Sequence, residues 1–331
     1  MAEPCTSKPM LSIILVNWNT REILRNCLQS IYTYTVGLPF EVFVVDNGSS
    51  DGSAQMVREN YPQVILIANS DNKGFAAANN QALALAKGDY VLLLNSDTYL
   101  IDNSLLKAVE FAERHPEAGM IGCRVLNADG TLQPTCFQYP SLLNLFLGAF
   151  YLPKLFPKSR FFGRERMTWW KRDDLREVEV ITGCFLLVRA EVIRQIGFLD
   201  ESFFMYGEET DWCYRACQAG WKLLFTPEAR IVHLGGASSR QNRPEMMLQL
   251  RGSILLFIKK HRSRAEYCLS CLLVGLFFAL RAPYWFLRGL LVQSERKQSI
   301  MTAETYWKGA FRALLGADGL RKKAKPKGER V

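Results

Sequence analysis

The sequence of 331 residues is long enough for one domain of ordinary size and an additional segment. Its formal net charge of +9 is unevenly distributed, since residues 1–250 hold 24 Lys and Arg against 27 Asp and Glu, whereas residues 251–331 hold 17 against 5. Because the longer part is slightly acidic and contains no nucleic-acid-binding motif, we expect no nucleic acid as a partner.

The first 125 residues alternate between strand and helix patterns. Short apolar runs predict strands at 12–16, 41–45, 64–68, 90–94 and 120–125. Helical spacing predicts helices at 20–32 and 75–87. This alternation predicts an α/β fold, with a mostly parallel sheet flanked by helices on both faces.

The pattern changes after residue 125. Residues 127–130 predict a turn, and residues 138–176 are aromatic and basic without a clear period, so we interpret them as mobile or substrate-facing. Strand patterns follow at 178–188, 221–225 and 231–233, and a helix pattern at 208–220 ends at Gly220.

The C-terminal region combines apolar and basic character. Residues 267–280 carry no charge, but a membrane-spanning helix needs about 20 apolar residues. Tyr284 and Trp285 lie between Arg281 and Arg288, as interfacial anchors do. We therefore predict an amphipathic or apolar helical appendage at 251–315 that binds an anionic membrane surface. A soluble packed helix and a true span remain alternatives.

The two ends of the chain are polar, and the cysteines do not suggest a disulfide framework. Residues 1–9 lack the apolar core of a secretory signal and predict a flexible N-terminus. The basic segment 316–331 predicts a disordered tail that strengthens attraction to anionic lipid. Nine scattered cysteines fit reduced thiols, so we expect a cytoplasmic protein at the inner face of the cell membrane.

Polar residues follow four of the predicted strands. The carboxyl ends of parallel strands meet at one sheet edge, where open α/β sheets bind ligands. The residues expected there are Asn17, Asp46, Asn47, Lys73, Gly74, Asn95, Ser96 and Asp97. Carboxylates can bind a ribose or base N–H, Lys73 and the helix after Gly74 suit a diphosphate, and Asp97 suits a divalent cation. Together these groups predict a site for a sugar nucleotide.

Each of these residues also has an ordinary structural explanation. Asp46 and Asn47 could simply form a turn, Lys73 could be solvated, and Asp97 could cap the following helix. A dinucleotide site is not expected, because no Gly-x-Gly-x-x-Gly motif follows the first strand.

Five segments in order, at 12–19, 45–52, 72–80, 94–97 and 203–215, resemble the inverting glycosyltransferases of family 2, most of all their rhamnosyltransferase-like branch. The resemblance spans about residues 10–240. It implies a GT-A fold over 10–250, with a nucleotide-sugar-binding half at 10–125 and an acceptor half at 126–250 that includes residues 182–184.

The resemblance also implies ligand-binding roles. Asp46 matches the nucleoside-contacting aspartate, and Asp97 matches the last residue of an Asp-x-Asp metal motif whose first position is Asn95 here. His233 resembles an additional ligand of Mg²⁺ or Mn²⁺, although it could merely close a short strand. The expected donor-binding residues are Asn17, Asp46, Asn47, Lys73, Gly74, Asn79 and Ser96.

The catalytic base implied by the resemblance is the second residue of an acidic pair, which here is Glu209. Asp211 is a competitor and Glu208 a third candidate. Arg215 lies four residues after Asp211, so we expect it to orient a carboxylate through an i,i+4 pair.

These features predict an inverting transferase that moves a sugar from a nucleotide-diphosphate donor, with dTDP-rhamnose as a candidate, to a hydroxyl of a lipid-linked or polysaccharide acceptor. One alternative is a polyprenyl-phosphate sugar synthase of the same fold, whose phosphate acceptor needs no general base. The other is a catalytically silent sugar-nucleotide-binding scaffold at the membrane.

Overall fold

The computed structural model describes residues 10–236 and 243–321. The predicted N-terminal segment 1–9 and residues 322–331 of the predicted tail lie outside the described residues. The chain divides into a sheet unit, which comprises residues up to 137, 171–201 and 209–238, and a helical unit, which comprises 138–170, 202–208 and residues from 239 onward. The predicted division at residues 250 and 315 stays a prediction.

The sheet unit begins with four strands and the helices that connect them. These elements are β1 (Leu11–Asn17), α1 (Arg21–Tyr34), β2 (Phe40–Asp46), α2 (Ser53–Asn60), β3 (Ile65–Ala68), α3 (Phe75–Leu83) and β4 (Tyr90–Asn95). The four strands are parallel and lie in the order β3-β2-β1-β4. Strand β1 is buried on both faces, since the adjacent residues Ile13 and Ile14 are both fully buried. Burial on both faces explains the continuous apolar runs in the sequence.

The sheet then continues with mixed strand directions. The remaining elements of this unit are β5 (Thr98–Leu100), α4 (Ser104–Arg114), β6 (Ala118–Leu126), β7 (Arg176–Glu177), β8 (Phe185–Arg189), α7 (Ala190–Ile196), α8 (Glu208–Gln218, of which Glu208 belongs to the helical unit) and β9 (Lys222–His233). Strand β8 runs antiparallel to β4 and β6, and β9 runs parallel to β6 but antiparallel to β5 and β7. The predicted α/β sheet is therefore parallel at its N-terminal side and mixed beyond β4.

Strand β9 joins two segments that the sequence predicts as separate strands, 221–225 and 231–233. The register against β6 shifts between the Cys123–Thr226 and Arg124–Arg230 pairs, so β9 is irregular around Pro227. Proline has no N–H to donate to a neighbouring strand, which explains both the irregularity and the break in the sequence pattern.

The helical unit contains α5 (Leu142–Ala149), α6 (Leu152–Leu155), α9 (Arg243–His261), α10 (Arg264–Ala279), α11 (Ala282–Leu291), α12 (Arg296–Leu314) and α13 (Ala317–Leu320). Helix α10 packs against α5, α9 and α12, and α11 packs against α12. The region 138–176, which shows no period in the sequence, includes the short helices α5 and α6. Helix α13 lies inside the segment predicted as disordered from residue 316, and its Ala317 and Leu320 are buried.

Candidate active site

Asn17 and Asp46 lie side by side at the carboxyl ends of β1 and β2, where they are register partners. The Asn17 amide donates from Nδ2 to Asp46 Oδ2 at 3.1 Å, and the Ser49 backbone N–H donates to Asp46 Oδ1 at 2.9 Å. Thr20 Oγ1 in turn donates to Asn17 Oδ1 at 2.6 Å. These bonds hold the buried Asp46 carboxylate in one orientation, and its remaining lone pairs can accept from a base or ribose.

Asn47 organises the loop that follows β3. Its Nδ2 donates to Asn72 Oδ1 at 3.0 Å and to Gly74 O at 3.2 Å. Its Oδ1 accepts from Lys73 N at 3.1 Å and from Asn69 Nδ2 at 3.2 Å. Because the buried Asn47 side chain both donates and accepts hydrogen bonds, it fixes the conformation of the predicted donor-binding loop.

Lys73 and Asn79 differ in how accessible they are. Lys73 Nζ forms an exposed ion pair with Asp71 Oδ1 at 3.2 Å, and exposed pairs of this kind are weak, so the ammonium can exchange partners. Asn79 is buried inside α3 and donates from Nδ2 to Phe75 O at 2.9 Å. Helix α3 begins after Gly74, which has a φ of 88°.

Gly48 is required where the loops after β2 and β3 meet. Its φ is +79°, and a Cβ atom there would lie 2.9 Å from Cα and the carbonyl carbon of Asp71. We expect Gly48→Ala to lower the free energy of unfolding by about 2–4 kcal/mol, because backbone strain and a steric clash act together. Urea unfolding measures this change.

Gly37→Ala is the matched control for that substitution. Gly37 has a similar φ of +76° but no atom within 4 Å of the added Cβ, so only the strain of about 1 kcal/mol remains. Equal losses for the two variants would contradict the close approach between the loops.

Asn95, Asp97 and His233 come together at the ends of β4 and β9. His233 Nε2 lies 3.0 Å from Asp97 Oδ1 and 3.2 Å from Asn95 Nδ2. The pairing of β5 with β9 places Thr98 opposite His233, which explains why residues so distant in sequence meet. Ser96, between the two predicted ligands, is buried.

The His233 imidazole is oriented by Gln133, which the sequence does not point to. Gln133 Nε2 donates to Asn127 Oδ1 at 2.8 Å and to His233 O at 3.2 Å, so its Oε1 is the atom that meets His233 Nδ1 at 2.6 Å. Nδ1 therefore carries a proton, and Nε2 faces the Asp97 carboxylate. A bound cation could take both of these atoms as ligands.

The protein's own donor set for a cation is small. Within residues 10–236 and 243–321 there is no group of three or more His, Cys, Asp or Glu side chains that could hold a metal ion. Asp97 and His233 contribute one carboxylate and one imidazole, and Asn95 contributes an amide whose oxygen and nitrogen can exchange places by a flip. Such a set fits a divalent cation that takes further oxygen ligands from a bound substrate.

The three acidic candidates at the start of α8 have different surroundings. Glu208 is 3 % exposed and Asp211 is 0 % exposed, whereas Glu209 is half-buried. Asp211 Oδ2 accepts from Arg215 Nε at 2.8 Å, which is the predicted i,i+4 pair. Arg215 also donates to the backbone oxygens of Ile196 and Phe198, so Asp211 belongs to a structural network.

We expect Asp211→Ala to lower the free energy of unfolding by about 2–4 kcal/mol, because it leaves the Arg215 guanidinium without its buried carboxylate. Chemical denaturation measures the loss. Asp174→Ala is the control, because Asp174 forms an exposed pair with Arg176 at 2.7 Å and should cost less than about 1 kcal/mol. A neutral Asp211→Ala would show that the network does not support the fold.

Cys184 lies beside the cluster of Asn95, Asp97 and His233. The Cys184 carbonyl oxygen accepts from Asn95 N at 3.3 Å. Burial raises the pKa of the Cys184 thiol to about 11, and the carboxylates of Asp97 and Glu209 add to the rise. Both carboxylates therefore influence the pKa of the Cys184 thiol, although more than a hundred residues separate them in the sequence.

Comparison with known proteins decides the family. The model for "Glycosyl transferase family 2" matches residues 12–197, which is more than half of the chain. The chain belongs to glycosyltransferase family 2. It is therefore a glycosyltransferase, as the five sequence segments predict.

One relative of this glycosyltransferase is the N-acetylglucosaminyl-diphospho-decaprenol L-rhamnosyltransferase of Mycobacterium tuberculosis. It is 28 % identical over 269 residues, which cover 77 % of this chain and 85 % of the relative. This similarity confirms the predicted rhamnosyltransferase-like branch.

Solved structures confirm the GT-A fold. The mannosyltransferase PcManGT from Pyrobaculum calidifontis, in complex with GDP-Man and Mn²⁺, has a TM-score of 0.57 at 17 % identity and covers 94 % of this chain and 88 % of its own. GalNAc-T7 with UDP, GalNAc and Mn²⁺ has a TM-score of 0.55 at 15 % identity and covers 91 % and 55 %. At these identities the likeness concerns the fold alone.

Proposed function

We propose that this glycosyltransferase moves a sugar, with inversion of configuration, from a nucleotide-diphosphate donor to a hydroxyl of a lipid-linked or polysaccharide acceptor. The observation that supports the proposal is the contact of Asp97 Oδ1 with His233 Nε2 at 3.0 Å, beside the carboxyl ends of the parallel strands of a family 2 glycosyltransferase. A leaving-group site and a proton acceptor are the two groups that such a displacement needs.

The donor would bind at the carboxyl edge of the parallel strands. Asp46, held by Asn17 and the Ser49 N–H, would accept from the nucleoside. Lys73 would leave Asp71 for the diphosphate, next to the N-terminus of α3. Rhamnose on dTDP is the donor we propose first, because the mycobacterial relative is named an L-rhamnosyltransferase.

Asp97, His233 and Asn95 would hold Mg²⁺ or Mn²⁺ beside the donor diphosphate. When bound, the cation would stabilise the negative charge of the leaving nucleotide. The two structural neighbours described above are named as complexes with Mn²⁺ and nucleotide ligands. Gln133 would keep the imidazole in the orientation that presents Nε2.

Glu209 would act as the general base. It would take the proton from the acceptor hydroxyl while that oxygen attacks the anomeric carbon on the face opposite the nucleotide. Its partial exposure favours it over Glu208 and Asp211, which are buried. Asp211 would instead keep the start of α8 in place through Arg215.

The acceptor we propose is lipid-linked, since the mycobacterial relative is named for a diphospho-decaprenol acceptor. Residues 126–250 would recognise the acceptor, residues 10–125 the donor, and residues 251–315 a membrane. The enzyme would then work at the cytoplasmic face of the cell membrane.

A screen of nucleotide sugars tests the proposal. The full chain is incubated with each donor, Mn²⁺ or Mg²⁺ and a lipid-linked N-acetylglucosaminyl diphosphate, and the released nucleotide diphosphate is measured. We expect metal-dependent release with dTDP-rhamnose and product of inverted configuration. Donor binding without turnover in any combination would indicate a silent binding protein and overturn the proposal.

A further inference from the structure

Helix α11 presents an apolar side to solvent. Phe286, Leu287 and Leu290 recur at helical spacing and are 48 %, 55 % and 55 % exposed. Leu291 extends this side and is 83 % exposed. Large apolar side chains that cluster at such exposure mark an interaction surface.

Helix α12 also presents large apolar side chains to solvent. Trp307, Phe311 and Leu314, spaced four and three residues apart, are all exposed, with Phe311 at 69 %. Small residues such as Ala303 and Ala313 are buried on its other side. Apart from the buried Tyr306, the helix therefore packs mostly through small residues and leaves Trp307, Phe311 and Leu314 outside, unlike an ordinary surface helix.

Helix α12 packs against α11 and also against α10, whose Leu269 and Leu272 are 50 % and 56 % exposed. A Cβ atom on Gly289 of α11 would lie 2.9 Å from Ile300 of α12. A Cβ atom on Gly275 of α10 would lie 3.2 Å from Ala310 O and 4.0 Å from Leu314. These two close contacts bring α12 against both neighbouring helices. We call their exposed apolar residues the docking face: Leu269, Leu272, Phe286, Leu287, Leu290, Leu291, Trp307, Phe311 and Leu314.

Helix α5 lies beside the junction of α10 and α11. Arg281 donates to the carbonyl oxygens of Gly148 and Ala149, at 2.8 Å and 3.0 Å. The exposed rings of Phe146 and Phe150 contact each other at the end of this helix, with centroids 4.9 Å apart. Helix α5 therefore adds exposed aromatic side chains to the helical unit.

The helical segment behind this face is not built to cross a bilayer as a single rod. By length and composition, residues Arg264–Leu291 are long and apolar enough to cross a membrane. However, 44 % of the apolar stretch within this segment is buried inside the protein. The α-helix is interrupted at Leu280 and Arg281, and the Arg281 side chain is committed to carbonyl oxygens inside the unit. Spanning would require this packing to be given up.

Basic side chains flank the docking face. Lys297, Lys308 and Arg312 are exposed on α12, where Glu304 is the acidic residue. An apolar surface bordered by cations complements the hydrocarbon and the head groups of an anionic bilayer.

We propose that the helical unit docks on an anionic lipid bilayer through the docking face, with its helices in the interfacial plane and without a membrane span. The exposed leucines and aromatic rings enter the acyl boundary, and the basic residues contact the head groups. This proposal rests on the membrane contact in the proposed function and names the surface that makes it; it depends neither on the identity of the donor nor on the role of Glu209.

Vesicle sedimentation of the full chain tests the proposal. Wild-type protein should bind phosphatidylglycerol–phosphatidylcholine vesicles. The variant Leu287→Ser/Leu290→Ser/Phe311→Ser should bind them at least about 30-fold more weakly, because each CH₂ group that enters the acyl region contributes to the free energy of membrane binding. Lys297→Gln/Lys308→Gln/Arg312→Gln should lose about tenfold or more on anionic vesicles only.

The matched control is Val36→Ser/Ile65→Ser/Leu85→Ser, which removes exposed apolar residues from the sheet unit and should bind like wild type. Circular dichroism verifies that each variant is folded. Wild-type binding by the docking-face variant would overturn the proposal. So would a vesicle-independent dimer that the same substitutions dissociate, or vesicle-bound protein that carbonate at high pH cannot extract, since the last indicates a span.

Discussion

Replacing Glu209 with Gln should lower kcat by about 10²–10⁴-fold, because an amide cannot take the proton from the acceptor hydroxyl. The change keeps size and shape, so donor affinity should stay within about twofold of wild type. Product formation with saturating donor measures the first quantity, and calorimetric titration with the nucleotide diphosphate measures the second.

Two further substitutions make this result specific. Glu208→Gln and Asp211→Asn alter the neighbouring carboxylates, which are buried at 3 % and 0 % exposure. We expect Glu208→Gln to retain most activity and Asp211→Asn to act mainly through stability, since Asp211 pairs with Arg215. If a folded Asp211→Asn loses turnover while Glu209→Gln keeps it, Asp211 is the base. If every variant remains active, a phosphate acceptor and a polyprenyl-phosphate sugar synthase are favoured.

Replacing Asp97 with Asn should remove the charge that holds a divalent cation, and activity should fall by about 10³-fold or more. Removal of the metal from the wild-type enzyme with a chelator should have a similar effect, reversed by added Mn²⁺. Electron paramagnetic resonance of Mn²⁺ in the presence of nucleotide diphosphate provides a readout separate from turnover, and the variant should show weaker binding.

Asp129→Asn is the control for that experiment. Asp129 lies in an exposed turn, where its carboxylate accepts from the Thr131 backbone N–H at 2.9 Å. Its replacement should leave Mn²⁺ binding and activity unchanged. Mn²⁺ affinity that is the same in Asp97→Asn and wild type would show that the cation is held elsewhere.

At the cluster of Asn95, Asp97 and His233, only part of the arrangement is predictable from the sequence. The polar residues that end β1, β2 and β4 are predictable, because the carboxyl ends of parallel strands share one edge of the sheet. Gln133 is not predictable, since its role arises from a contact with His233 a hundred residues away. A lone Gln after a turn carries no local pattern that distinguishes it from a solvated residue.

The acidic cluster at α8 shows the same limit in another form. The sequence offers Glu208, Glu209 and Asp211 within four positions, and the family resemblance alone ranks Glu209 first. Burial and the Arg215 pair separate them, because three residues on one helix turn face different surroundings. Such surroundings depend on which elements pack around the helix.

By itself, the sequence determined the α/β class, the polar sheet edge, the family and the uneven charge, because these follow from local periodicity, from residues adjacent to strands and from composition. Only the tertiary structure decided that Asp97 and His233 touch, that Asp211 is committed to Arg215 and that α12 packs against both α10 and α11. The reason is physical: these properties depend on distances between segments remote in sequence, which the packing of the whole chain sets.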